Sequence, residues 1–310
     1  MKKKHYSLIA ILIFIFILTN FTVFSGTRHY EIRDSLDRKV NLSSLPRKIV
    51  ATSPRVTQIA FDLGLGEKIV GVTSVTSALS YVPSVKRKAE TKTKIGDAYS
   101  GLSMEKLVDL RPDLVILDSL VFPEEVVGEL SKMGISVYCA GGENLEEIME
   151  TLLELGQLTG SLTRAKEIVG DMILDKIILE DRVKKIEEKT ETLYMLDDSI
   201  YTVGGTAYLD KLLSMAGLKN VFGDRHKKWI KVSKEAIVQA DPELILVAYN
   251  PAVNSIKDLK SNPGLANTEA VKNGDVFFLS NELTSKLNQA GTKLMEGVLD
   301  LFYLVSEKEE

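Results

Sequence analysis

Two glutamates in matched settings are the residues of this sequence best placed for a specific task. Tyr99-Ser-Gly-Leu-Ser103-Met-Glu105-Lys-Leu-Val-Asp-Leu-Arg-Pro112-Asp-Leu-Val-Ile-Leu117 overlies Trp229-Ile-Lys-Val-Ser233-Lys-Glu235-Ala-Ile-Val-Gln-Ala-Asp-Pro242-Glu-Leu-Ile-Leu-Val247 at an offset of 130 residues. Ser103 and Ser233 can each cap a short helix. Glu105 and Glu235 then fall in its first turn, where free amides and the helix dipole favour a carboxylate. Pro112 and Pro242 stop the helix and lead into an apolar strand. Capping alone explains a single Ser-x-Glu; two copies, each with an aromatic six residues ahead of the glutamate, also fit a pair of acidic groups offered to a partner. The residues alone leave both readings open.

The aromatics of the repeat, Tyr99 and Trp229, suit the walls of a site for a flat ligand, since rings bury a large area at small entropic cost. Packing is the alternative. Trp229 is the only tryptophan and follows Asp224-Arg225-His226-Lys227-Lys228, a stretch too polar for a core, which favours a cleft. Further candidates sit where strands should end, the place at which open α/β sheets bind ligands. Ser53, Pro54 and Arg55 follow a first strand, Thr73 to Ser77 a second, Asp118 and Ser119 a third, and Asn281 to Lys286 a late one. Arg55 beside Ser-Pro could grip a carboxylate, catecholate or propionate in bidentate fashion; a solvated side chain is the other reading.

Other chemistry is restricted by what is scarce. The 310 residues hold one cysteine, Cys139, and three histidines, His5, His29 and His226. No intrachain disulfide or thiolate cluster can form, and only His226 lies in the body of the chain for acid–base or metal work. A nucleophile elbow GxSxG and a phosphate loop GxxxxGK[ST] are both missing. No catalytic residue, resident metal or cofactor is therefore expected. A two-lobed α/β enzyme stays as the weaker alternative. The net charge of −4 gives no electrostatic footprint for nucleic acid.

The elements that would position these residues can be read from pattern. Lys2 to Lys4, an apolar run from Leu8 to Leu18, and Val23-Phe24-Ser25 read as a signal peptide over 1–25. An uncleaved anchor is the alternative, because Phe21 to Phe24 lengthen the apolar stretch. An anchored chain would suit a ligand sensor. No cysteine follows the run, so no lipid anchor is expected there. Residues 30–42 alternate about a Ser-Leu-Asp turn as a hairpin. Short apolar strands at 48–52, 69–72, 114–117 and 137–139 then alternate with helical segments, the sign of parallel α/β layers. The rhythm breaks at 162–189, where Ala165, Ile168, Met172, Leu179, Val183 and Ile186 keep helical spacing. Such a helix would be roughly 40 Å long and suits a strut between lobes; a long crossover helix is the other reading. Alternation resumes with strands at 192–196, 244–247 and 276–279, a helix at 208–215 and a final helix over 290–305. The expected organisation is an N-terminal α/β lobe over 26–160, a connecting helix over 161–190 and a C-terminal α/β lobe over 191–310.

With these segments assembled, the sequence resembles the periplasmic binding proteins of ABC importers for cobalamin, haem and ferric siderophores. The resemblance runs through Asp37-Arg38-Lys39-Val40, Pro46-Arg47-Lys48-Ile49-Val50, Ser53-Pro54, Glu67-Lys68-Ile69-Val70-Gly71, both Ser-x-Glu units, Tyr201-Thr-Val-Gly-Gly-Thr206 and Ala216-Gly217. It implies two lobes with mainly parallel sheets joined by one long α-helix, and a monomer that captures a solute in the cleft without chemistry of its own. Tyr99 and Trp229 match cleft positions in the family. Glu105 and Glu235 match the glutamates that pair with arginines on the membrane permease. Asn288, Gln289 and Ala290 replace the family's usual proline and arginine before the last helix, which leaves anchoring from that side open. Ferric siderophore and cobalamin are equal as expected solutes, with haem behind them.

Overall fold

Runs of branched and long apolar residues, buried on both faces, make the central strands of two separate sheets. The structure is a computed structural model, and it describes residues 30–74, 79, 82–97, 100–197 and 199–306. The expected leader and Tyr99 lie outside the described residues.

The chain enters through an antiparallel hairpin of β1 (Tyr30–Arg33) and β2 (Lys39–Leu42). The first large sheet contains β3 (Ile49–Ala51), β4 (Ile69–Val72), β5 (Thr93–Lys94), β8 (Leu114–Asp118) and β9 (Val137–Ala140). Its order is β5-β4-β3-β8-β9 and every pairing is parallel. Between β5 and β8 the chain makes a small antiparallel pair, β6 (Gly96–Asp97) with β7 (Gly101–Leu102). Helices α1 (Pro54–Asp62), α2 (Pro83–Glu90), α3 (Met104–Leu110) and α4 (Glu125–Lys132) connect these strands.

The second sheet contains β10 (Thr190–Met195), β11 (Tyr201–Val203), β12 (Leu218–Asn220), β13 (Trp229–Lys231), β14 (Leu244–Val247) and β15 (Val276–Phe278). The order is β13-β11-β10-β14-β15, with β12 beside the start of β10. The run β10-β14-β15 repeats the parallel order β3-β8-β9, with β8 and β14 related by the 130-residue offset. β11 departs from the expected pattern, pairing antiparallel to both β10 and β13.

Between the sheets run α5 (Leu145–Thr159) and α6 (Leu162–Val183). The expected helix over 162–189 ends at Val183, so its 22 residues span about 33 Å. Its buried stripe is Ala165, Ile168, Val169, Met172 and Leu179. α6 packs along α5 and against the last helix, so the connector is supported rather than free-standing. Gly156 permits the close approach of α5 and α6: a Cβ there would lie 2.5 Å from Ala165 Cβ. The final helix expected over 290–305 begins four residues later, at Leu294, and a separate helix, Asn281–Asn288, precedes it. After α7 (Tyr208–Met215), α8 (Lys234–Ala240) and three short turns at Ile256–Lys260, Pro263–Ala266 and Glu269–Asn273, the chain forms Asn281–Asn288 and then Leu294–Ser306.

Candidate functional site

A cleft of about 420 Å³ opens between the two sheets, and each half of the chain supplies one wall. On the first side, Ser53 caps α1, its hydroxyl accepting the Val56 N–H at 3.2 Å, and Pro54 takes the first helical position, an arrangement pre-set for a helix start. This places Ser53, Pro54 and Arg55 at the carboxyl end of β3. The end of β8 adds Asp118, Ser119, Leu120 and Val121, and Glu143 lies at the rim. Leu120 and Val121 are exposed apolar residues, as an apolar ligand wall needs to be.

On the opposite side, the turn at Gly204 and Gly205 fixes the wall by direct backbone contact. The Gly204 N–H donates to Lys228 O at 3.0 Å and the Gly205 N–H to Arg225 O at 2.8 Å. A Cβ at Gly204 would sit 2.2 Å from Lys227 O, and one at Gly205 1.9 Å from Gly223 O. No side chain fits at either position. The polar loop before Trp229 is thereby pinned, and Lys228 and Trp229 reach the cleft. Trp229 stands edge-on to Tyr208, with ring centroids 6.4 Å apart at 86°, and the Tyr208 hydroxyl donates to Leu287 O at 3.1 Å. Burial pushes the Tyr208 phenol above its ordinary range, so it stays neutral. Residues Asn288, Gln289 and Ala290 complete this wall.

Arg55 has a different task from the one its neighbours suggest. It is buried, and its guanidinium forks onto Asp118, Nε to Oδ2 at 3.0 Å and Nη2 to Oδ1 at 2.6 Å. Nη2 also donates to Ala140 O at 2.8 Å, and Nη1 to Gly141 O at 2.7 Å and Ala290 O at 3.3 Å. A guanidinium has five N–H groups, and this set uses all of them. Ser53 adds a hydroxyl bond to Asp118 Oδ2 at 2.5 Å. Arg55 thus ties α1, the ends of β8 and β9, and the second half of the chain together beneath the cleft.

Two other residues singled out by position do not line it. Thr73 is buried beyond the end of β4. Lys286 is buried on Asn281–Asn288 and ion-paired to Glu282 at 3.0 Å, Glu296 at 2.9 Å and Asp300 at 2.9 Å. Burial draws its proton affinity down, but hydrogen bonds to those three carboxylates prevail and leave it above the ordinary lysine range. Three contributors escaped the sequence reading. Tyr208 carried a signal, being an aromatic at a helix start after a Gly-Gly turn. Leu120-Val121 also carried one, as an apolar pair in a turn. The ion pair between Lys228 and Glu143, which bridges the two walls, had none.

Glu105 and Glu235 are both exposed, in the first turns of α3 and α8. Ser103 accepts the Lys106 N–H at 3.4 Å and Ser233 the Ala236 N–H at 3.2 Å. Bonds from its own backbone N–H and the Ser233 hydroxyl hold the Glu235 carboxyl below its usual range. Among the described residues no His, Cys, Asp and Glu cluster could hold a metal ion. His226 lines a separate outer groove with Phe222, Arg225 and Lys231. Cys139 is buried, its thiol pushed up to about 12 by burial, with the Asp34 charge adding, so it packs rather than reacts.

Two sheets of repeated topology, a helical connector and a cleft walled from both sides define a two-lobed binding protein. A family model for periplasmic binding proteins matches residues 49–283, and the chain belongs to that family. It is 27% identical over 277 residues to an uncharacterized ABC transporter substrate-binding lipoprotein, YvrC, of Bacillus subtilis, covering 87% of this chain and 83% of that one. It is 25% identical over 213 residues to the vitamin B12-binding protein of Yersinia pestis, covering 67% and 73%. A possible iron-binding, periplasmic solute-binding protein of Staphylococcus epidermidis superposes with a TM-score of 0.68 at 27% identity, over 84% of this chain and 98% of that one. With relatives of this kind along most of its length, the chain is a solute-binding component of an ABC transporter.

Proposed function

We propose that the cleft captures a metal-chelate nutrient, a ferric siderophore or a cobalamin with haem behind them, and that the loaded protein delivers it to a membrane permease. The observation that carries this reading is the composition of the cleft. Trp229, Tyr208, Leu120 and Val121 give it apolar and aromatic walls from both sides, which suits a broad, rigid ligand. The names of the vitamin B12-binding and iron-binding relatives support the same ligand class.

In this reading the lobes are 26–160 and 191–310, the segment 161–190 is the strut, and closure is small because a supported helix bends less than paired strand hinges. Glu105 and Glu235, one exposed carboxylate per lobe, dock the permease; complementary charge there serves encounter and orientation more than affinity. The chain works as an exported monomer, with 1–25 removed as a signal peptide or kept as an anchor. Titration of the purified protein with cyanocobalamin, hemin, a ferric trihydroxamate and a ferric triscatecholate, followed by Trp229 fluorescence, tests the ligand class. At least one should quench at micromolar concentration. Silence towards all four removes the metal-chelate reading. Glu105→Ala with Glu235→Ala should abolish uptake in cells with solute binding intact; loss of binding would refute the docking role.

A further inference from the structure

Among the described residues the charged groups that line the cleft are four: Arg55, Asp118, Glu143 and Lys228. They form two closed pairs. Arg55 and Asp118 are 6% and 2% exposed at their side chains, and the guanidinium has no N–H left to turn towards a ligand. Lys228 and Glu143 face each other from opposite walls, each about half exposed. The described lining therefore sums to zero charge, and each cation already holds a carboxylate. Around these pairs the lining is aromatic, aliphatic and uncharged polar, the last from Ser53, Ser119, Thr206, Asn288 and Gln289.

From this we infer that the cleft selects a chelate with no net charge; the inference rests on the metal-chelate reading above and narrows it. A trianionic ferric triscatecholate would leave water for a site that has no unpaired cation to receive it, and an uncompensated charge is costly to desolvate. Lys228 can be released, since an exposed pair holds weakly, but Glu143 then remains at the rim as a like charge. Opening Arg55 from Asp118 would strand a buried carboxylate. An uncharged ferric trihydroxamate or corrinoid meets neither obstacle and gains the apolar contact of Trp229, Leu120 and Val121. Glu143 is thus a specificity-determining residue. Among the described lining residues it neutralises the one cation an anionic chelate could use.

The test compares cyanocobalamin and a ferric trihydroxamate with a ferric triscatecholate, by Trp229 quenching, on the wild-type protein and on Glu143→Gln and Lys228→Gln. In the wild type the better of the two uncharged chelates should bind at least roughly tenfold tighter than the triscatecholate. Glu143→Gln frees Lys228 and should move the ratio towards the triscatecholate by roughly tenfold at low salt, an effect that shrinks as salt screens it. Lys228→Gln should move the ratio the other way. A wild-type protein that binds the triscatecholate as tightly as the uncharged chelates overturns the inference and leaves the metal-chelate reading standing. So does a ratio that Glu143→Gln leaves unchanged. If no chelate binds at all, the reading itself falls, and the inference with it.

Discussion

Arg55 and Asp118 lie 63 residues apart in sequence and meet in a two-pronged ion pair beneath the cleft. The same guanidinium reaches Ala290 O, 235 residues away. The pair holds the ends of β8 and β9 to the start of α1, and the bond from Arg55 to Ala290 O links the two halves. Two residues after Ala290, Thr292 adds a second stitch, its hydroxyl donating to Asp62 Oδ2 at 2.5 Å.

Removing one partner of this pair should therefore act on folding. Asp118→Asn leaves a buried guanidinium without its counter-charge, and loss of about 3–5 kcal/mol is expected for such a change. Arg55→Lys keeps the charge but loses the fork, and should be destabilising too. Urea denaturation of both variants measures this; a loss below about 1 kcal/mol for Asp118→Asn would show that the pair does not hold the lobes.

Trp229 is 43% exposed, so its truncation should weaken ligand binding with little effect on folding. Trp229→Ala should cost about 1.5–3 kcal/mol of binding, and Trp229→Phe, which keeps an aromatic ring in the wall, less. Isothermal titration with whichever chelate binds the wild type reads the effect, since Trp229→Ala removes the fluorophore. Unchanged affinity would move the ligand away from this wall.

The twin helix ends of the repeat give a contrast within one protein. Arg111 and Asp241 both end their helices in the left-handed region, at φ 46° and 37°, where a side chain is strained. Arg111→Gly should relieve that strain and stabilise by up to about 1 kcal/mol. Asp241→Gly should not, because Asp241 Oδ1 accepts the Glu269 N–H at 2.7 Å and its loss costs about 1 kcal/mol. Equal shifts in melting temperature for the two variants would contradict this difference.

Burial drives the Glu154 carboxyl up to about 7, although the Tyr138 hydroxyl, donating at 2.7 Å, opposes the rise. A carboxyl whose folded pKa exceeds its unfolded value, about 4.3, binds more protons in the native state through that window. Its contribution to stability is then full below the unfolded value and lost as pH rises through about 7. Glu154→Gln keeps an acceptor for Tyr138 and removes the titration. The urea midpoint of the variant relative to wild type should therefore rise between pH 5 and pH 8. A pH-independent difference would show that Glu154 titrates normally.

Much of this architecture is legible along the chain because its causes are local. Ile49-Val50-Ala51 and Leu114-Val115-Ile116-Leu117 read as strands since both faces are buried and no alternation obscures them. Ser103 and Ser233 read as caps, and each accepts the amide three residues on. The stripe from Ala165 to Leu179 reads as a buried helix face. β11 and β13 were not legible, being three residues long and partly exposed, and they form because Gly204 and Gly205 admit a neighbouring backbone.

The sequence by itself determined that this chain has two like halves, a helical connector between them, and a matched Ser-x-Glu in each. Periodicity, capping and proline placement act within a few residues, so they leave their mark in the residue order. Only the tertiary structure decided what Arg55 does and where the last helix begins. Arg55 looked available for an anion until Asp118 folded beneath it. The helix expected from Ala290 starts at Leu294, because Ala290 O and Thr292 are held by Arg55 and Asp62 from the other lobe. Bonds between residues more than 200 positions apart exist only once the halves have met, and no local pattern of side chains encodes them.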